Sequence, residues 1–222
     1  MVSVRVSASV LLCAVVLAGC TSTPDAEPEA ESGAPVVQLG APGEENRTLS
    51  PDQMESAAPA HTDADVGFMQ AMIPHHQQAL QMTAMVEKRA ADPKIALLAE
   101  RLEVSQLDEI AQMEDWLVQR GEDVPADGAH SHHHGGHAEL MPGMLTRAEL
   151  ARLERSRGEQ FDRLFLAYMI RHHQGAVTMV DDLLSSGAGG QEPQAFQVAQ
   201  HVDSDQRVEI SRMQQMLATR SR

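Results

Sequence analysis

The sequence predicts an all-α protein in which two repeated helical hairpins form a four-helix bundle. The first observation is an internal repeat, because the segment from Asp65 to Met82 recurs from Asp162 to Met179 at a constant offset of 97 residues. Both copies carry Asp, Phe, Met-Ile, His-His-Gln, Ala and Met in register. The second observation is composition, since only 3% of the residues are aromatic whereas 13 are methionine. A core rich in Leu, Ala and Met suits helices better than sheets.

Each repeated motif is followed by a second stretch with apolar residues at helical spacing. These stretches run from about 93 to 119 and from about 193 to 219. Stop signals at Gly121, at residues 91–93 and at residues 185–193 separate the predicted helices. Each copy therefore predicts one hairpin, and the two hairpins bury their apolar faces on each other. The predicted buried stripes consist of Ile95, Leu98, Leu102, Leu107, Ile110, Met113 and Leu117 in the first copy and of Phe196, Val202, Ile210, Met213 and Leu217 in the second.

Residues 1–20 have the shape of a bacterial export signal. Arg5 is the only charge, and the apolar run from Val10 to Ala18 is too short to span a membrane as a stable anchor. The end of the segment, Leu17-Ala18-Gly19-Cys20, resembles a lipobox, in which the peptide is cut before the cysteine and the cysteine carries the lipid. We therefore predict lipidation at Cys20 and a location in the cell envelope, on the extracytoplasmic face of the membrane. A plain secretory signal with an incidental cysteine is the alternative.

Composition divides the rest of the chain into a tether and one domain. Residues 21–61 are rich in Pro, Glu, Ala, Ser and Gly, and they predict a disordered tether because they cannot bury enough apolar surface to offset the entropy of ordering. Residues 62–222 are predicted to form the bundle, with a His-rich loop at 128–144. No cysteine follows Cys20, so this region has neither a disulfide nor a thiolate ligand. The net charge of −15 argues against nucleic acid as a partner.

The duplicated motif places histidine and methionine where one helix face can bind a metal ion. One methionine lies three residues before the histidine pair and another lies seven residues after its first member, and these spacings bring side chains together on one flank of a helix. Thioethers favour Cu(I), and imidazole suits copper, zinc, iron and nickel. We therefore predict copper as the bound metal, with Cu(I) favoured. The candidate ligands are Met72, His75, His76 and Met82 in the first copy and Met169, His172, His173 and Met179 in the second.

Each of these residues also has an ordinary structural interpretation. Methionine is a common core residue at helical spacing, and Met85 and Met216 are assigned to the core. A single buried histidine usually serves as hydrogen-bonded packing, but adjacent histidines point about 100° apart on a helix and need two polar environments. The recurrence of the pair, with methionine at the same spacing, favours metal binding over packing.

A histidine-rich loop separates the two predicted hairpins. It offers candidate ligands for copper, zinc or another divalent metal, and Met141 and Met144 add sulfur ligands nearby. The alternative is a solvated loop that binds metal only incidentally. Beyond it, Thr146 and Glu149 form a capping-box pattern that predicts a short helix. The candidate ligands in the loop are His130, His132, His133, His134 and His137.

Repeated acidic and amide residues suggest supporting roles. Asp65 and Asp162 start the two motifs and predict helix caps or helix-dipole partners. Glutamines that directly follow the histidine pairs are predicted to hydrogen-bond a ligating imidazole. A Glu-Ile-x-x-Met pattern recurs at an offset of 100 residues, and its glutamates either support an imidazole in the same way or face solvent. The residues meant are Gln77, Gln174, Glu109 and Glu209.

The sequence does not predict a catalytic role. Di-iron sites in four-helix bundles use Glu-x-x-His, whereas Met72 and Ile73 lie three residues before the first histidine pair and the second copy also lacks the carboxylate. No Gly-rich phosphate loop, G-x-S-x-G or H-E-x-x-H motif occurs in the sequence. An oxidoreductase that uses bound copper or iron would need an open coordination position, and it is kept as a third hypothesis.

The repeated motifs also resemble a known bacterial family. Met-Ile-x-His-His-Gln with Ala two residues later, together with Met141-Pro-Gly-Met144 and Phe161-Asp162-x-x-Phe165-Leu166, resembles the DUF305 family over about residues 62–218. The resemblance implies a ferritin-like four-helix fold in an exported protein, and some relatives are implicated in periplasmic copper binding and copper resistance. It points to the same eight Met and His side chains of the two repeats. Arg171 stands where the first copy has Pro74, and its positive charge is expected to weaken metal affinity in the second copy.

The sequence therefore predicts a metal-binding lipoprotein of the cell envelope that sequesters or transfers copper through its Met/His motifs. Its predicted partners are the membrane, through the lipid anchor, and the metal ion. The alternative is a non-metal module that binds another envelope protein, in which the histidine pairs are buried polar packing.

Overall fold

The computed structural model describes residues 36–38, 45–51, 59–126 and 140–219, which fall into two units. The first unit, Met1–Ser50, contains two short antiparallel strands, β1 (Val36–Gln38) and β2 (Arg47–Leu49). This strand pair lies in the segment that the sequence predicts to be a disordered tether. Strands of three residues bury little surface, and both valines of β1 are about half exposed.

The second unit, Pro51–Arg222, is helical, which confirms the predicted all-α fold class. Its helices are α1 (Asp63–Thr83), α2 (Pro93–Gln119), α3 (Arg147–Arg155), α4 (Gly158–Ser185) and α5 (Pro193–Ala218). The four long helices form two hairpins, α1–α2 and α4–α5. Because α1 packs against α2 and α4, and α5 packs against α4 and α2, the order around the bundle is α1–α2–α5–α4. Among the described helices, none combines the length and apolar character needed to cross a membrane.

The long second helix of each hairpin begins where the sequence predicts. Pro93 and Pro193 occupy the first turn of α2 and α5, where the missing N–H has no intrahelical partner to lose. The preceding residues, Asp92 and Glu192, cap the two helices by accepting hydrogen bonds from backbone N–H groups. The short helix α3 begins with the predicted capping box.

The repeated aspartates connect the two hairpins. Asp65 completes a capping box with the N-cap threonine of α1, and its Oδ1 also accepts a hydrogen bond of 2.6 Å from the backbone N–H of Gly190. Asp162 accepts hydrogen bonds of 3.1 Å from the backbone N–H groups of Ala91 and Asp92. Each buried aspartate therefore binds the interhelical link of the opposite hairpin. This reciprocal contact explains the recurrence of Asp at the start of both motifs.

The apolar core forms two clusters at different heights along the bundle. The first cluster joins the N-terminal half of α1 to the C-terminal half of α4, and the second joins the C-terminal half of α1 to the N-terminal half of α4. Helices α1 and α4 are therefore antiparallel, and a pseudo-two-fold axis relates the two hairpins. Representative members are Phe68, Met72, Met113, Val180 and Val202 in the first cluster and Met82, Leu102, Phe165, Met169 and Met213 in the second.

Two positions of the predicted buried stripes are wrong. Leu107 and Phe196 are 50% and 47% exposed. Their neighbours, Gln106 and Ala195, occupy the inward positions and are fully buried. Consecutive residues differ by about 100° around a helix. The prediction placed the larger apolar side chain of each neighbouring pair in the core, whereas the residue before it faces inward. At Gln106 the inward residue is polar because the bundle interior is polar at that height.

Candidate metal centre

A layer of buried polar side chains lies between the two apolar clusters, in the middle of the bundle. The four motif histidines form its centre, and none of them is more than 1% exposed. Burying this many polar groups costs free energy unless each finds a partner, so the layer is a candidate functional site. We call it the histidine layer, and it consists of His75, His76, Gln106, Glu109, His172, His173, Gln206 and Glu209.

The two repeats meet at this layer. The rings of His75 and His172 lie 3.9 Å apart between centroids, at an interplanar angle of 37°. Within each pair, His75–His76 and His172–His173, the ring centroids are 6.2 Å apart, because consecutive side chains point in different directions from a helix. The two histidine pairs are 97 residues apart in the sequence, and the pseudo-two-fold packing of the hairpins brings them together. The two copies of the motif therefore contribute to one region of the bundle.

The outer histidine of each pair contacts a glutamate from the second helix of its own hairpin. His173 Nε2 donates a hydrogen bond of 2.7 Å to Oε2 of Glu209. His76 Nε2 lies at the same distance of 2.7 Å from Oε2 of Glu109, although its N–H is not aligned as a hydrogen bond. Of the two roles predicted for the glutamates, contact with an imidazole is the one observed.

The segment Met141–Leu145, which we call the strap, binds the first histidine helix through two residues. His75 Nε2 donates a hydrogen bond of 2.9 Å to the carbonyl oxygen of Pro142. The amide of Gln78 accepts from the Leu145 N–H at 2.6 Å and donates to the Leu145 carbonyl at 3.1 Å. The strap therefore fixes one ring nitrogen of His75 and is itself held by α1.

On the second histidine helix, glycine provides space for the strap. A Cβ atom at Gly175 would overlap the carbonyl oxygen of Pro142. Gly143 has a φ of +76°, in the left-handed region that favours glycine, and a Cβ atom there would lie 2.9 Å from the His172 carbonyl oxygen. Gly175 corresponds to Gln78 at the repeat offset of 97. The repeats differ here because one copy binds the strap by an amide and the other by close backbone packing.

Burial keeps the inner histidines neutral. Desolvation lowers the pKa of His75 to about 3, with repulsion from His76 acting in the same direction and the hydrogen bond to Pro142 opposing it. Desolvation also lowers the pKa of His172 well below its ordinary value, and the neighbouring histidines add to this effect. At neutral pH both rings carry a lone pair on one nitrogen, which is the form that binds a metal ion.

The metal-free protein is expected to lose stability in mild acid. His75 has a folded-state pKa of about 3, below the value of about 6.5 in the unfolded chain, so the unfolded state binds more protons as the pH falls below 6.5. By pH 5 this difference amounts to about 2 kcal/mol of unfolding free energy for His75, and His172 acts in the same direction. Urea unfolding at pH 7 and pH 5 measures the loss, and His75→Gln should reduce it. Equal stability at both pH values would contradict this prediction.

The methionines lie on both sides of the histidine layer. Met72 belongs to the first cluster and Met82, ten positions later, to the second, a separation of about 15 Å along the helix. Met169 belongs to the second cluster, whereas Met179 is partly buried against the first. The four sulfurs are thus divided between the two apolar clusters, and their role as ligands stays a prediction. Met85 and Met216 pack against the second cluster, as their assignment to the core predicted.

Three polar residues that stabilise the site were missed in the sequence. Gln106 and Gln206 donate long hydrogen bonds of 3.4 and 3.5 Å to Oε2 of Glu109. A signal for both exists, because each precedes its repeated glutamate by three residues and extends the pattern to Gln-x-x-Glu-Ile-x-x-Met. No such signal exists for Gln78, since its counterpart is a glycine.

Other predicted site residues lie elsewhere. Gln174 is exposed and so does not lie in the buried layer, while Gln77 is half-buried. At the two ends of the Met-Pro-Gly-Met sequence, Met141 is half-buried and Met144 is buried. The loop candidates His130, His132, His133, His134 and His137 lie outside the described residues.

The charge of Arg171 is paired with a carboxylate. Its guanidinium donates to Oε1 of Glu149 at 2.6 Å, and this hydrogen bond is the main reason that the pKa of Glu149 falls to about 2. The same hydrogen bond raises the pKa of Arg171. A compensated charge repels a bound cation less than a free one, so the predicted weakening of the second repeat is reduced by Glu149.

The donor set of the histidine layer fits a metal ion. Across residues 59–126 and 140–219, no three His, Asp or Glu side chains are already arranged around one ion position. However, Nδ1 of His75, His76 and His173 and Nε2 of His172 are buried and have no hydrogen-bond partner among the described residues. Buried imidazole nitrogens near carboxylates are suitable for copper or zinc.

The fold and the site together define a class of protein: a four-helix bundle made of two hairpins, with a buried histidine site at their pseudo-symmetric centre. The sequence model of the domain of unknown function DUF305 matches residues 65–217. The chain belongs to the DUF305 family.

Solved structures of other family members share this architecture. A DUF305 fragment from Deinococcus radiodurans is 33% identical, and the match covers 72% of this chain and 99% of that one with a TM-score of 0.61. A putative secreted DUF305 protein from Streptomyces coelicolor is 29% identical, with coverages of 71% and 92% and a TM-score of 0.61. CopM in its Cu(II)-bound form is 29% identical, with coverages of 70% and 96% and a TM-score of 0.56, and CopM is also known in a Cu(I)-bound form.

A curated relative is similar over a shorter region. The uncharacterized protein L153 of Acanthamoeba polyphaga mimivirus is 38% identical over 56 residues. The match spans 25% of this chain and 37% of that protein.

Proposed function

We propose that the protein binds copper at the histidine layer, outside the cytoplasm, and sequesters the metal or hands it over there. The observation that carries the proposal is the meeting of two duplicated histidine pairs in the bundle centre, where ring nitrogens have no partner among the described side chains. Burial lowers the pKa of His75 and His172 far enough that no proton competes with the metal at neutral pH.

The nearby side chains favour copper over other metals. Imidazole nitrogen accepts both oxidation states of copper, and thioether sulfur favours Cu(I). Met72 and Met169 each lie one helical turn before a histidine pair, on opposite sides of the layer. CopM, which is 28–29% identical to this chain, binds both Cu(I) and Cu(II). Zinc or another divalent ion remains the expectation for the histidine-rich loop.

Deletion of the loop tests where copper binds. We expect the chain that starts at residue 21 to bind Cu(I) in competition with a chromophoric chelator, and to keep its tightest site when residues 130–137 are deleted. The reason is that the ligands of the histidine layer lie on α1 and α4, which do not include the loop. The control is a deletion of eight residues from the tether.

Two results would contradict the proposal. If copper binding disappears when the loop is deleted, the loop binds the metal and the helices serve only as its scaffold. Failure of the intact chain to bind copper would favour the non-metal envelope interaction module, in which the histidine pairs serve as buried polar packing.

We further propose that a lipid on Cys20 anchors the protein to the extracytoplasmic face of the membrane. The proposal is supported by the order of the apolar run, small residues and cysteine at residues 10–20. A family member from Streptomyces coelicolor is described as a putative secreted protein.

Loss of this cysteine is expected to release the protein from membranes. Cys20→Ala should leave the protein absent from the membrane fraction, because no thiol remains at residue 20 to accept the lipid. Cell fractionation and incorporation of labelled palmitate measure the change, with Cys13→Ala as the matched control. Equal lipid labelling of both variants would show that the anchor lies elsewhere.

A further inference from the structure

In His75, the inner histidine of the first repeat, one ring nitrogen donates a hydrogen bond and the other has no partner among the described residues. The carbonyl oxygen of Pro142 can only accept a hydrogen bond, so His75 Nε2, 2.9 Å away, carries the ring hydrogen. The other nitrogen, Nδ1, is buried without a partner in the described part of the chain. A neutral imidazole with Nε2–H exposes a lone pair at Nδ1, so this ring is oriented to bind a metal by that atom.

The outer histidine of the second repeat shows the same division between its nitrogens, whereas in His76 neither nitrogen makes an aligned hydrogen bond among the described residues. Glu209 and Glu109 each place Oε2 at 2.7 Å from a histidine Nε2, and an ionised carboxylate accepts hydrogen bonds but does not donate them. In His173 and His76, Nδ1 is again buried and lacks a partner among the residues described. A buried imidazole nitrogen without a partner costs free energy, which a bound metal ion would recover.

We propose, on the basis of the copper-binding function above, that copper binds His75 and His173 through Nδ1, and that Glu209 is a positioning residue that selects this tautomer of His173. Histidines that bind metals commonly donate their other N–H to a carboxylate or a backbone carbonyl, which orients the ring and increases its basicity. Glu209 and the Pro142 carbonyl are acceptors of these two kinds. His172 is the exception, because its unpartnered nitrogen is Nε2.

Charge provides an independent reason for the glutamates. A copper ion in the buried bundle centre requires nearby negative charge, because an uncompensated buried cation is strongly unfavourable. The side chains of Glu109 and Glu209 are only 5% and 12% exposed and come from opposite hairpins. Two carboxylates in this position compensate a bound cation while remaining on the far side of the imidazole from it.

Long-range ¹H–¹⁵N correlation spectra of the ¹⁵N-histidine-labelled chain test the assignment of nitrogens. Before metal is added, His75 and His173 are expected to show a protonated Nε2 and an unprotonated Nδ1. With Cu(I), which is diamagnetic, the Nδ1 resonances should shift while the Nε2–H signals persist. Copper bound to Nε2 of His173, or a metal-free protein in the opposite tautomer, would overturn the proposal.

Substitution of Glu209 tests the positioning role. Glu209→Leu is expected to weaken Cu(I) binding about 10–100-fold, the usual effect of removing such an acceptor. Glu209→Gln should recover part of this loss, because its amide oxygen accepts the same Nε2–H. The control is Glu103→Leu, which removes an exposed glutamate on α2. Unchanged affinity in Glu209→Leu would overturn the positioning role alone, whereas failure of the unmodified chain to bind copper would refute the proposed function itself.

Discussion

Replacing His75 and His172 together by glutamine is expected to weaken copper binding by roughly 100-fold or more. Removing only an outer hydrogen-bond partner of a metal-binding histidine typically costs 10–100-fold, so losing two ligands should cost at least as much. The centroids of these rings lie 3.9 Å apart at the meeting point of the two hairpins. Each single variant should therefore lose most of the affinity, because one ion position needs ligands from both repeats. Competition with a Cu(I) chelator measures these losses.

The control for this experiment is an exposed histidine on the same bundle. His201→Gln removes an imidazole from the outer surface of α5 and should leave the affinity unchanged. Glutamine at position 75 keeps a donor that can reach the Pro142 carbonyl, so the strap contact is preserved as far as the side chain allows. Urea unfolding of each metal-free variant separates loss of ligand from loss of fold. A folded double variant with unchanged affinity would place the copper site outside the layer.

Gly175→Ala is expected to destabilise the bundle by roughly 1–3 kcal/mol, the usual cost of overpacking a well-packed site. Alanine is intrinsically favoured over glycine within a helix by about 1 kcal/mol. At this position, however, the added Cβ atom would overlap the backbone carbonyl of Pro142, and backbone atoms cannot rotate away as a side chain can. The strap must therefore move off α4, which also disturbs its hydrogen bonds to His75 and Gln78.

A second glycine provides the matched comparison for this prediction. Gly67 lies in α1, and a Cβ atom there meets nothing within 4 Å. Gly67→Ala should therefore stabilise the protein by up to about 1 kcal/mol, through helix propensity alone. Urea unfolding of both variants measures the difference. If Gly175→Ala stabilises the protein as much as Gly67→Ala, the strap does not rest on α4 in the way described.

Much of the fold follows from the sequence because its signals are local and repeated. The prolines at 93 and 193, the capping residues and the internal repeat specify four long helices and their pairing. The inward faces were harder to predict, as the exposed positions of Leu107 and Phe196 show. An apolar stripe is the only guide available in one sequence, and it fails where the inward residue is polar, as at Gln106, or small, as at Ala195.

The candidate site was predictable in its residue types but not in its arrangement. The repeated His-His pairs identify four imidazoles, yet nothing in the sequence says that the rings of His75 and His172 contact each other. Their contact depends on the antiparallel packing of α1 and α4, which is a tertiary property. For the same reason, the sequence could not decide whether Glu209 faces solvent or contacts an imidazole, because its contact joins residues on different helices.

The histidine layer shows how stability and function compete in this bundle. Four imidazoles and two carboxylates occupy a height of the core that apolar residues would fill at lower cost, and several of their atoms have no hydrogen-bond partner in the described structure. Natural proteins keep such groups where function requires them. Bound copper should therefore raise the unfolding free energy, by about 2.7 kcal/mol when free copper is at 100 times its dissociation constant.

A crystal of the copper-loaded protein, measured on both sides of the copper absorption edge, tests the central claim most directly. The account predicts a strong anomalous peak in the bundle centre, within bonding distance of the rings of His75 and His172, with Glu109 and Glu209 still beside Nε2 of the outer histidines. Peaks confined to the histidine-rich loop or to the outer surface, with none at the histidine layer, would contradict it.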